Sequence, residues 1–258
     1  MKLTFLGTGT SFGVPQIGCS CAVCRSTDPR DKRMRCAAVI ESDGGTRILI
    51  DTPPELRLQL LASGVASIDA LFITHDHADH THGLDDIRSL TVRRSAMLPV
   101  YGPAEALAGL ERKFAYVFDE SIRPLPGTAK PEGRLVPVSA GERVRVGDIE
   151  IEAIEVPHGP VRVFGYRAGP IAYITDAKAL PPKALEQLAG VRVLVLNSLR
   201  RTPHPTHLSS GEAVAIAQQL GVPRTLLTHL THEISHADLS AELPNGVEPA
   251  YDNLTVIS

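Results

Sequence analysis

Short apolar runs rich in Val and Ile recur along the chain, most of them bounded by Gly, Pro, Asp or Asn. That punctuation predicts strands. In the first half they fall at Leu3–Leu6, Cys36–Glu41, Arg47–Ile50, Ala70–Thr74 and Leu98–Tyr101. The second half adds Leu135–Val138, Arg143–Val146, Ile149–Val156, Val161–Arg167, Ile171–Thr175, Val191–Leu196 and Thr225–Thr228. Helical periodicity fits Pro54–Ala62, Gly83–Leu90, Pro103–Tyr116, Pro182–Leu188 and Ser209–Leu220. The last opens on a Ser cap with Glu212 three residues on, a capping-box signature. Between the two strand sets, residues 117–134 are rich in Pro, Gly and charge and lack periodicity. They read as a loop insertion inside one domain spanning 1–258, not as a linker. Two strand-rich halves with helices outside predict an α/β, or α+β, sandwich of four αββα layers, its sheets face to face.

Composition supports a folded chain. Of 258 residues, 43% are hydrophobic and 21% charged, enough to bury a sizeable core and too apolar for disorder. A formal net charge of −3 gives no whole-protein reason to bind nucleic acid. The basic pairs Arg93-Arg94 and Arg200-Arg201 could still meet a phosphate, although such pairs are ordinarily solvated surface. No h-region or cleavage site follows Met1, and no run approaches the ~18 apolar residues of a membrane span. A soluble, cytoplasmic protein with no membrane partner is expected. Its four cysteines should then stay reduced, and their spacing needs another explanation.

Chemistry concentrates in "LFITHDHADHTHGLDD", residues 71–86. His75, His77, Asp79 and His80 form H-x-H-x-D-H directly after an expected strand. Imidazole and carboxylate together suit Zn, Mn or Fe. In an extended or tightly turned segment, alternate side chains share a face. His75 and His77 would therefore reach one ion, and Asp79 and His80 another around the turn. Incidental histidines in a polar loop are a poor account of this density. His82 receives no role. Asp51, closing "RILID", reads equally as a partner that fixes a ligand imidazole or as an ordinary turn aspartate. Upstream, "GCSCAVC" sets Cys19, Cys21 and Cys24 as C-x-C-x-x-C. Three thiolates this close can share a tetrahedral zinc but need a fourth ligand. A glycine-rich loop is a poor setting for a redox pair. Cys36, in an apolar strand, reads as core.

The histidine string in this context resembles the metallo-β-lactamase superfamily. "GTGTSFGVPQIGCSCAVCRSTDPRDKRMR", residues 7–35, further resembles the PhnP branch of accessory phosphodiesterases in the carbon–phosphorus lyase pathway. The likeness spans Leu3 to about His232. It implies further ligands after later strands: His158 in "IEVPHG", Asp176 in "AYITDA" and His229 in "TLLTHL". His75, His77 and His158 would hold one divalent ion, and Asp79, His80 and His229 the other. Asp176 would bridge them around a shared hydroxide, and Asp79 counts among the catalytic groups as well as the ligands. The resemblance also implies His232 as the fourth ligand of a structural zinc with Cys19, Cys21 and Cys24. It implies a histidine outside the metal set as proton donor: His207, or His204 as the alternative. The expected activity is hydrolysis of a small phosphodiester, possibilities including a ribosyl cyclic phosphate, by a homodimer. A tRNA 3′-processing endonuclease, a thioester or lactone hydrolase, and a non-catalytic carrier of the pyrroloquinoline quinone type are the alternatives.

Overall fold

Strands buried on both faces show as unbroken apolar runs, because neither side of the pleat meets water. The run VLVLN, Val193–Asn197, is buried at every position, as is IAYI, Ile171–Ile174. A computed structural model describes residues 1–258 and places these runs in the middle of a sheet.

The first sheet contains β1 (Lys2–Gly7), β2 (Ala37–Glu41), β3 (Arg47–Ile50), β4 (Ala70–Phe72), β5 (Leu98–Pro103) and β6 (Gly133–Val138). The second contains β7 (Arg143–Val146), β8 (Ile149–His158), β9 (Val161–Ala168), β10 (Ile171–Ile174), β11 (Val193–Asn197), β12 (Arg224–Thr228) and β13 (Val247–Pro249). The final strand, β14 (Thr255–Ile257), returns to pair antiparallel with β1. The sheet orders are β14-β1-β2-β3-β4-β5-β6 and β13-β12-β11-β10-β9-β8-β7. In each, one run of four strands is parallel: β3 to β6, and β10 to β13.

Three apolar layers hold the αββα sandwich together. Leu3, Phe5, Ile48, Phe72, Ile151, Tyr166, Tyr173 and Val195 meet between the sheets. Helices Leu56–Ser63, Arg88–Arg94 and Ala104–Lys113 cover the first sheet through Leu60, Leu90, Leu107 and Leu110. Helices Pro182–Gln187, Ser210–Leu220 and His236–Glu242 cover the second through Ala184, Ala213 and Leu239. No helix is long and apolar enough to cross a membrane.

The capping box is present. Ser209 accepts from the Glu212 N–H, and the Glu212 carboxylate accepts from the Ser209 N–H at 2.8 Å. Other expectations shift at their edges. The helix expected over 83–90 is a 3₁₀ turn, Leu84–Ile87, followed by Arg88–Arg94. The helix expected over 103–116 breaks at Phe114, whose φ of −129° leaves helical space, and resumes at Ala115–Phe118. Of the insertion, 119–132 is loop or turn, while 117–118 end that helix and 133–134 open β6. Short strands β13 and β14 and the helices Ala22–Arg25, Ala78–Thr81 and His236–Glu242 carry too little periodicity to be read from sequence.

A buried cation ties the N-terminal loop to the late loop. Arg33 is 1% exposed, one of the largest side chains sealed inside. It donates to the carbonyls of Thr231 and Ile234, the latter at 3.0 Å, and lies 3.4 Å from Asp31. Asp31 in turn accepts the His236 N–H at 2.7 Å. Removing one partner of such a pair strands the other without water, which costs about 3–5 kcal/mol. Arg33→Met should lower unfolding stability by about that amount in urea titrations; a loss under 1 kcal/mol would show that the tie is unimportant.

Candidate metal centre

The ends of both sheets' strands converge at one rim. His75 follows β4, His158 closes β8, Asp176 follows β10 and His229 follows β12. Loops outside the carboxyl ends of parallel strands are the usual place for a site in an open α/β sheet. Several of these residues turn in by leaving ordinary backbone space. Asp51, Asp176 and His229 have φ of 63°, 57° and 58°, the left-handed region. For residues other than Gly that conformation is uncommon and clusters at functional sites.

Of the two forms expected for the histidine string, extended or tightly turned, the structure has the tight turn. His77 caps a one-turn helix, Ala78–Thr81, which carries Asp79 and His80. Gly83 lets this helix sit down on the chain after β3, since a Cβ there would lie 2.0 Å from the Pro53 carbonyl oxygen. The result brings ligand atoms together in two adjacent groups. His75, His77 and His158 form one, and Asp79, His80 and His229 the other. Asp176 joins His75 and His80 in a third group, with oxygens 3.3 Å from His80 Nε2 and 3.2 Å from His229 Nε2.

Neighbours fix which imidazole nitrogen faces the centre. His80 Nδ1 donates to Asp51 at 2.7 Å, and His158 Nδ1 to the Thr206 carbonyl at 3.0 Å. The Thr74 hydroxyl bonds Asp51 and sits 3.0 Å from His75 Nδ1. Such contacts leave each Nε2 lone pair for a metal. Buried His75 Nε2, His80 Nε2 and both ring nitrogens of His229 make no hydrogen bond within the protein. Buried polar atoms are normally satisfied, so this cluster of orphans calls for a ligand.

The charges agree. Burial lowers the His75 and His158 pKa values and brings His229 down to about 4, so these rings are neutral, the form that binds metal. His80 goes the other way. Burial opposes its charge, but Asp176 and Asp51 outweigh burial and hold it well above the usual histidine range. Burial likewise pushes Asp176 up, yet His229 and His80 keep its carboxyl well below the usual range. A proton on His80 thus places positive charge between the buried acids Asp176 and Asp51, a part that divalent ions would also fill.

A second group lies beside the first. His232 Nδ1 is 3.3, 3.4 and 3.5 Å from the sulfurs of Cys19, Cys21 and Cys24. A tetrahedral zinc with Zn–S near 2.3 Å and Zn–N near 2.1 Å holds such atoms about 3.6 Å apart. The Cys24 N–H leads in lowering Cys21 to about 6, while burial and the neighbouring thiols push Cys24 up to about 11. A cation among the three sulfurs would favour their ionised form. Cys36 is core: it is 1% exposed and contacts Gly9 and Thr228.

The proton-donor candidates flank the rim. His207 Nε2 is 3.0 Å from Asp176, and its Nδ1 is 2.9 Å from the Thr206 hydroxyl. His204 stands behind, its Nδ1 3.2 Å from His207 Nδ1. His82 is exposed and packs edge-on to Phe114. A cavity of about 400 Å³ opens over His77, His158, Asp176, His207 and His229.

Known proteins share this fold. The model of the beta-lactamase superfamily domain matches residues 46–230. A crystal structure of a new diphosphatase from the PhnP family is 37% identical, with a TM-score of 0.91, covering 100% of this chain and 97% of that one. The chain belongs to the beta-lactamase superfamily and, within it, to the PhnP family. It is also 39% identical to Octanoyltransferase of Porphyromonas gingivalis over 262 residues, covering 100% of this chain but 51% of that protein. The chain spans about half the length of the curated relatives it matches first. Zn(2+)-bound PqqB from Methylobacterium extorquens shares the fold, at 18% identity and TM-score 0.81 over 100% of both chains.

Some of the PhnP-family chain's supporting residues escaped the sequence reading. Thr206 serves three histidines at once. Asn197, ending β11, donates to the Ala177 carbonyl at 3.0 Å and accepts the Ala177 N–H at 2.7 Å. That bracket holds the left-handed turn at Asp176. An Asn closing a buried apolar run was the available signal. Asn197→Leu leaves two buried backbone groups unpaired at about 1–3 kcal/mol each. It should lower the melting temperature and loosen Asp176; an unchanged unfolding curve would show that the bracket carries no load.

Proposed function

We propose that this chain is a metal-dependent phosphodiesterase acting on a small diester. The convergence of His75, His77, Asp79, His80, His158, Asp176 and His229, with orphaned imidazole nitrogens at its centre, carries this reading. Two divalent ions, Zn or Mn or Fe by residue type, would supply an activated water and take up charge on the phosphoryl oxygens. The residues themselves do the rest. Asp51, Thr74 and Thr206 hold the ligand rings in one tautomer. Asp176 clusters with His75 and His80 and also with His158 and His207, so its carboxylate would be shared between the two ligand groups. His207 gives its proton to the leaving oxygen as the phosphorus–oxygen bond breaks, and Thr206 orients its ring. His207 is preferred to His204 because its Nε2 reaches Asp176 while His204 stands behind it. The cysteine group with His232 would hold a structural zinc, tying the N-terminal loop to the loop that carries His229.

One observation favours a second scissile bond. The PhnP-family neighbour with 37% identity is a diphosphatase. A diphosphate diester and a phosphodiester present the same phosphorus, the same incoming water and a leaving oxygen that differs only in basicity. Octanoyl transfer is not proposed, because the chain matches only 51% of the protein so named.

Metal analysis with a substrate panel tests the reading. Wild-type protein should retain the cysteine-site zinc plus two further ions and cleave nitrophenyl phosphodiesters in preference to thioesters. Asp176→Ala should empty or scramble the pair while sparing the cysteine-site zinc. His207→Ala should keep all its ions and lose roughly 10²–10⁴-fold in kcat on a diester with a poor leaving group. Full turnover in the His207 variant removes that residue from the mechanism, and metal-loaded wild type inert on every diester removes the mechanism itself.

A further inference from the structure

The outer wall of the cavity is built differently from its floor. Only Phe12 and Leu199 are apolar among the residues lining it. Phe12 is 66% exposed, in a chain with six Phe, five Tyr and no Trp. What distinguishes it from other exposed apolar side chains is its place: its aromatic face lies in water at the mouth of the polar cavity. Nearby, Arg200 lines the same cavity and forms no ion pair. Its neighbour Arg201 does, to Glu242 at 3.0 Å. Buried Arg200 Nε has no hydrogen-bond partner, and the guanidinium's one bond is to the Pro203 carbonyl at 3.3 Å. Glu233, on the same wall, leaves it unpaired. Ser11 and Gln16 complete the mouth with side chains that make no hydrogen bond inside the protein.

We infer that Phe12 and Arg200 form a substrate subsite for a nucleoside diphosphate group, the base stacked on Phe12 and a phosphoryl group held by Arg200. This rests on the phosphoesterase reading of the floor. A guanidinium with no carboxylate partner suits a phosphoryl oxygen. A sequence-tolerant aromatic platform suits a base. The polar mouth selects among planar groups. A hydrocarbon ring would leave Ser11 and Gln16 facing apolar surface, whereas a nucleobase offers them hydrogen-bonding edges. A cavity of about 400 Å³ is in the range of small-molecule sites. The subsite explains why the cysteine loop lies where it does: the loop that would be pinned at Cys19, Cys21 and Cys24 also presents Phe12.

The test uses the metal-loaded full chain and two measurements. Calorimetry reads binding of adenosine 5′-(α,β-methylene)diphosphate, which cannot be cleaved at the bridged position. Kinetics compare P1,P2-di(adenosine-5′) diphosphate with methyl p-nitrophenyl phosphate, which lacks a base. Phe12→Ala and Arg200→Ala should each weaken analogue binding about tenfold or more. Both should lower the kcat/KM preference for the dinucleoside compound, mainly through KM. Phe12→Trp should recover binding, and Arg200→Lys should recover it in part. No analogue binding to wild type at millimolar concentration, or binding unchanged in both alanine variants, overturns the subsite. If wild type cleaves the nitrophenyl diester in that case, the phosphoesterase reading survives. If analogue binding depends on both residues but neither substrate is cleaved, the subsite stands and the reaction assigned to the floor falls.

Discussion

Buried charge is the constraint on which this molecule turns. Asp51, Asp79 and Asp176 meet five imidazoles where the two sheets' strand ends converge, and Asp51, His80 and Asp176 are sealed from water. Carboxylates in such a place are costly unless paired. The protein binds each to an imidazole or a hydroxyl and turns the remaining nitrogens toward a common centre. Left-handed backbone at Asp51, Asp176 and His229 is the geometric cost of that convergence. Divalent ions would relieve both problems together, because they would neutralise the carboxylates and occupy the orphaned lone pairs.

The rest of the fold serves to keep that cluster rigid. The buried parallel strands β4, β10 and β12 and the antiparallel strand β8 give the ends from which the candidate ligands project. Asn197 brackets the turn after β10, and Glu212 of the capping box also takes a 2.7 Å bond from Lys178, two residues past Asp176. On the far side, the 229–236 segment is held twice over, once at His232 among the cysteines and once by Arg33 and Asp31. His229 and His232 are three residues apart, so the segment that meets the cysteine loop also carries the candidate ligand His229. Structure and chemistry share one short segment there.

That sharing shapes the cavity as well. The floor of the cavity comes from residues at strand ends, His158, Asp176 and His229, whereas the mouth comes from the loop bearing Thr10, Ser11, Phe12 and Gln16 and from the stretch around Arg200. On the proposed function, bond breaking and selectivity would therefore sit on different pieces of chain. A family relative can keep the first and change the second, in keeping with a fold that hosts several reactions.

Much was legible in the sequence. Twelve of the strands announce themselves, because apolar runs closed by Gly, Pro or Asp depend on local composition. H-x-H-x-D-H and C-x-C-x-x-C are equally local, since one short turn must supply several ligands. Family resemblance then pointed to His158, Asp176, His229 and His232, residues that spacing alone could not link to the early histidines. Tertiary structure decided the remainder. The one-turn helix under Asp79 and His80 is too short to show a period, and β13 and β14 owe their existence to pairing with distant strands. Thr206, Asn197 and Arg33 look ordinary in sequence; their roles come from what the fold places opposite them. Side-chain type is written along the chain, but the partner of a buried polar group is fixed only when segments some two hundred residues apart close on each other, as Asp31 and His236 do.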